Sequence, residues 1–139
     1  MVTLDPDHFL GPWVLGMALQ QSGDMPGAVR ALEKSAELSG GAPFALGFLA
    51  LVYGEAGRRD RALGILKGLE EAAPVRYVPP SALAFGYIGL GEWDAALRWL
   101  EEAVDQRDPL VMPIKSYPFL DPARGDLRFQ NLLRKMRLA

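Results

Sequence analysis

The residues capable of chemistry in this chain are few and poorly spaced for it. His8 is the single histidine and lies beside Asp5 and Asp7. One imidazole with two carboxylates falls short of a convincing ligand set, so His8 reads as an exposed residue of a first helical turn. Glu70-Glu71 and Glu101-Glu102 look like acid pairs, yet neighbours on a helix point about 100° apart and do not converge on one bond. Ser22, Ser35, Ser39, Ser81 and Ser116 have no histidine near them in sequence and none occupies a nucleophile elbow. Gly86-x-x-Gly89-x-Gly91 lacks the strand before it and the Lys-Ser/Thr after it that a phosphate loop needs, so its glycines serve close helix packing and a turn. No constellation joins a nucleophile or a metal to an activating base. The reading is a non-enzyme with no catalytic residue, no metal and no cofactor.

Charge and composition narrow the partners. Lys plus Arg (15) nearly balance Asp plus Glu (17), which gives no global field for nucleic acid or an anionic membrane. Residues 107–139 do carry seven Lys or Arg against three Asp, with Arg128, Arg134, Lys135 and Arg137 gathered at the end. Without an aromatic stacking platform or a recognised motif, that cluster reads as helix-end charge complementing the macrodipole, and no nucleic acid is expected. The absence of cysteine suits a reducing, cytoplasmic compartment. Residues 1–6 lack the basic start and apolar core of a signal peptide, and every apolar stretch is broken before membrane-spanning length.

What positions the remaining residues is a repeat. Gly23, Gly57 and Gly91 recur at one constant spacing, shared by Leu15, Leu49 and Leu83 and by Ala28, Ala62 and Ala96. That period, about 34 residues, is the length of a helix-turn-helix solenoid unit. Each unit holds an apolar helix, a glycine turn and a more charged helix with Ala and Leu one turn apart: Ala28 and Leu32, Ala62 and Leu66, Ala96 and Leu100. The spacing predicts first helices near 7–22, 43–56 and 79–90, and second helices near 25–38, 59–73 and 93–106. Proline marks helix starts at Asp5-Pro6 and Pro79-Pro80. Gly40-Gly41 and Pro74 stop second helices. Beyond Arg107 the period ends; residues 108–115 read as a short kinked helix, 118–125 as irregular, and 126–137 as a closing helix capped by Asp126.

These residues resemble the tetratricopeptide repeats. Leu49-Ala50 with Tyr53 and Leu83-Ala84 with Tyr87 follow the family's first-helix pattern, and Leu15-Gly16 with Leu19 is the first unit's version. The family's early Trp is replaced by Pro12, Leu46 and Pro80, and its late Phe by Leu. The resemblance implies one all-α domain over 1–139, a right-handed superhelix of three repeats (about 9–42, 43–76 and 77–108) with a C-terminal cap over 109–139. Residues 121–133 are similar to the segment that ends repeat arrays in bacterial multidomain signalling proteins. Residues 4–6 fall on the phase where a preceding unit would end, which suggests a piece of a longer array.

Each first helix is apolar on two sides. One stripe, including Leu15, Leu49 and Leu83, is explained by packing within the array. The other holds Leu10, Trp13 and Met17, then Phe44 and Leu51, then Val78, Phe85 and Ile88. By resemblance to the family it lines a concave groove. With no Lys, Arg or Asn in the three first helices, the groove suits an apolar or amphipathic protein segment and disfavours clamping of a terminal carboxylate. The alternatives are that Tyr117, Phe119 and Leu120 fold back over it, that these side chains are core, or that it mediates a homodimer. From another class, the array would be the regulatory or sensor domain of a catalytic or DNA-binding protein.

Overall fold

The structure, a computed structural model, describes residues 10–75, 78–106 and 118–136. Among these residues seven α-helices run in order: α1 (Leu10–Ser22), α2 (Met25–Leu38), α3 (Pro43–Glu55), α4 (Arg59–Ala72), α5 (Pro80–Gly89), α6 (Trp93–Asp105) and α7 (Leu127–Lys135), with a 3-10 helix over Pro118–Ala123 before α7. No strand occurs among the described residues. The fold is all-α, built from helix-turn-helix pairs α1–α2, α3–α4 and α5–α6. The segments 7–9 and 108–115, expected to be helical, and the Asp5-Pro6 start lie outside the described residues.

The period in the sequence becomes a period in backbone geometry. Gly23, Gly57 and Gly91 have φ of 89°, 83° and 75°, a left-handed turn that glycine enters without a Cβ clash. After each turn a charged helix begins. Asp24 caps α2 by accepting from the Gly27 amide at 3.0 Å, and Pro43 and Pro80 sit in the first turns of α3 and α5, where an amide would be unpaired anyway. Gly16 lies against Leu32, and Gly86 against Leu66 and Ala50, so small residues on first helices receive leucines from second helices.

The tightest contact joins α3 to α5. A Cβ on Gly54 would stand 2.4 Å from the carbonyl carbon of Gly89, and one on Gly47 would stand 2.7 Å from Cα of Ala82. Gly47 and Gly54 lie two helical turns apart on α3, as Ala82 and Gly89 do on α5. Each helix therefore shows a seam of small residues on one face, and the two backbones meet along it. Trp13 holds the place in α1 that Gly47 and Ser81 hold one and two periods later. Its ring sits edge-on to Phe48 at 5.3 Å and to Phe44 at 5.9 Å, which leaves α1 less closely packed on α3 than α3 is on α5.

The C-terminal segment closes the far end. Asp126 caps α7 through the Arg128 amide at 2.8 Å, and α7 buries Phe129, Leu132 and Leu133 as it packs on α6. Leu120 and Ala123 of the 3-10 helix are buried as well. The basic residues of α7 lean on acids: Arg128 bridges Asp94 at 2.8 Å and Asp126 at 2.9 Å, and Lys135 pairs with Asp105. Through this bridge Asp94 ties α6 to α7.

Candidate interaction surface

Eight residues were expected to line a groove, and the structure divides them. Leu51 and Phe85 are 1% and 0% exposed, and Ile88 is 5% exposed. The cause is the small-residue seam: Leu51 lies between Gly47 and Gly54 on α3, and Phe85 between Ala82 and Gly89 on α5, so close approach of the two backbones traps both side chains. Phe48, which the sequence reading left out, is buried with them, its ring 4.7 Å from that of Phe85. Leu120 belongs to the same apolar cluster. Tyr117 and the side chain of Phe119 lie outside the described structure. These buried rings and aliphatics form a closed apolar floor.

Trp13, Met17 and Phe44 remain half-buried against that floor. Together they make an apolar surface on α1 and the first turn of α3, and α1 carries no charged residue. The Trp13 indole nitrogen is buried and finds no acceptor among the described residues, so the ring is held by its edge-to-face contacts with Phe44 and Phe48. Leu10 opens α1, and its side chain lies outside the described structure.

Val78 goes elsewhere. It lines a cleft of about 520 Å³ between α4, α5 and α6, with Tyr87 and Trp99 in its wall and Glu70, Arg98 and Glu102 around it. Val78 therefore does not share a surface with Trp13 and Phe44. Tyr87 donates to Glu70 Oε1 at 3.4 Å, and Tyr53 donates to Glu33. In both, a first-helix tyrosine reaches the second helix of the pair before it. Burial, with the neighbouring carboxylate second, raises the pKa of each phenol. The first unit has Leu19 at this position and makes no such bond.

A tetratricopeptide repeat family model matches residues 43–66 and 81–102. These two segments cover α3 with the first half of α4, and α5 with most of α6, the pairs joined by the sequence period. Within the chain these two segments are tetratricopeptide repeats. No characterised protein and no solved structure matches it significantly. Tetratricopeptide repeats generally mediate protein–protein interactions and typically act as non-catalytic scaffolds. Among the described residues no three His, Asp or Glu side chains gather around a point where a metal could sit. None of the described helices is long and apolar enough to cross a membrane.

Proposed function

We propose that this domain is a non-enzymatic protein-interaction scaffold whose tetratricopeptide array takes an apolar or amphipathic segment of a partner on the surface formed by Trp13, Met17 and Phe44. The observation that carries the reading is the aromatic arrangement there: two accessible rings, edge to face, backed by the buried Phe48 and Phe85. Rigid aromatic side chains on a packed floor bind with little loss of conformational freedom, which is why such groups dominate interface energetics. The uncharged character of α1 favours an apolar ligand surface over an ionic one. The resemblance of residues 121–133 to array-ending segments of bacterial signalling proteins supports a place within such a protein.

The test is fluorescence-polarisation binding of a panel of amphipathic helical peptides and of peptides with acidic C-termini, against the wild-type chain, Trp13→Ala and Phe44→Asp. An aspartate in the first turn of α3 complements the helix dipole, so Phe44→Asp keeps its helix. The expected result is saturable binding of amphipathic peptides only, weakened at least tenfold by either substitution. Equal binding by wild type and both variants, each folded by circular dichroism, refutes the assignment.

A further inference from the structure

Tyr53 and Tyr87 hold the same place one repeat apart, and the chain surrounds them differently. The Arg61 guanidinium lies over the Tyr53 ring, 5.8 Å from its centroid, while the Tyr53 hydroxyl donates to Glu33. A cation on the ring face and a carboxylate at the phenol satisfy both the π-system and the polar tip. One repeat later Ala95 stands in the place of Arg61. Tyr87 keeps a carboxylate partner through its 3.4 Å bond to Glu70, but among the described residues no cation stacks on its ring. Tyr87 and Ala95 instead both line the cleft of about 520 Å³ between α4, α5 and α6. The cleft exists because α4 packs less closely on α5 than α2 does on α3. Glu70 replaces Ala36, which is buried in the earlier interface, and an ionised carboxylate stays where water reaches it. Val78 replaces the larger Phe44.

We propose that this cleft is a docking site for an arginine side chain of a partner polypeptide, its guanidinium on the Tyr87 ring and against Glu70, its methylene stem along Leu83 and Trp99. The chain's own Arg61–Tyr53–Glu33 arrangement specifies the occupant, since it shows which group this tyrosine position takes when the space is filled. Charge agrees with it. Glu70 and Glu102 outnumber Arg98 in the wall, so an incoming cation is complemented. A planar guanidinium stacks on a ring and forks to a carboxylate at once, which a lysine ammonium does not do. Pro80 extends the wall about two helical turns from Tyr87 toward the start of α5. That length, with Val78 beside it, accommodates residues flanking the arginine and favours a polypeptide over the free amino acid. The cleft shares no residue with the Trp13–Phe44 surface and does not depend on it.

The probe is N-acetyl-arginine amide, blocked at both ends as an arginine is within a chain. It is titrated at low ionic strength into the isotopically labelled full chain and followed by amide and indole NMR. Saturable shifts centred on Tyr87, Ala95 and the Trp99 indole are expected. N-acetyl-citrulline amide has the same shape without the charge and is expected to bind about fivefold more weakly, the scale of an exposed cation–π contact together with an ion pair. Glu70→Gln alters an exposed position, keeps an acceptor for Tyr87, and is expected to weaken the arginine probe about two- to fivefold. Ala95→Arg supplies the cation from within the chain and is expected to abolish binding, whereas Phe44→Asp is expected to leave it unchanged. Four outcomes overturn the proposal: no saturation up to about 100 mM probe, equal binding of the citrulline compound, binding that Glu70→Gln does not weaken, or free arginine bound more tightly than the blocked probe.

Discussion

Gly54→Ala is the sharpest probe of what holds the array together. The added methyl would stand 2.4 Å from the carbonyl carbon of Gly89, 2.5 Å from its oxygen and 2.8 Å from the amide nitrogen of Leu90. All three are backbone atoms, so no rotamer change relieves the clash. Restoring ordinary contact at roughly 3.4 Å or more moves α3 and α5 apart by about 1 Å, which loosens the packing of Leu51, Phe48 and Phe85 along the seam. Overpacking of this kind costs about 1–3 kcal/mol. The gain from replacing glycine by alanine in a helix is at most about 1 kcal/mol, and less in the last turn of α3. A net loss of about 1–2 kcal/mol follows from the difference. Gly64 and Gly68, within α4, have nothing within 4 Å of an added Cβ, so Gly64→Ala and Gly68→Ala are each expected to stabilise by about 0.5–1 kcal/mol. Urea unfolding, read by circular dichroism and tryptophan fluorescence together, checks both signs; with a mid-range slope of about 2 kcal/mol/M, Gly54→Ala should lower the midpoint by about 0.5–1 M. A Gly54→Ala protein as stable as wild type, beside a destabilised Gly64→Ala, would refute the account of the seam.

Removing the Asp24 cap with Asp24→Ala leaves the Gly27 amide without its partner and should cost about 1 kcal/mol in the same urea assay. Phe129→Ala empties a fully buried site in the closing helix and should cost about 3–5 kcal/mol, with loss of α7 amide protection in hydrogen exchange; an unchanged midpoint would mean that α7 is no part of the cooperative core. The pKa of Tyr53 is raised by burial and by Glu33, so the fold favours the protonated phenol. That contribution is fully present below the ordinary tyrosine value and is lost as pH rises through the raised one. Stability should therefore decline above about pH 10, and Tyr53→Phe should flatten the decline; an identical alkaline profile for wild type and variant would contradict it.

Most of the fold was legible because it rests on short-range rules. Three glycines at the repeat spacing supplied three left-handed turns, and Pro79-Pro80 and the Ala-x-x-x-Leu spacing helped to place six helix bodies to within a turn at either end. The second helices were the clearest, since their charged outer face gives a strong amphipathic period. First helices are apolar nearly all round, so periodicity alone could not say which of their faces is buried and which is open. Phe48 escaped the list of candidate residues for that reason.

The split of the expected groove was decided by contacts between helices far apart in sequence. Gly47, Gly54 and Gly89 are each an ordinary helical glycine when read alone. Only when α3 meets α5 do they become a seam that seals Leu51 and Phe85 inside. The signal was present as a two-turn spacing of small residues on both helices, but which helices would meet along it was not. Likewise, Leu15 has the sequence of a core residue and the exposure of a surface one. A side chain's type sets how much burial would be worth, while the arrival of a neighbouring helix decides whether it happens.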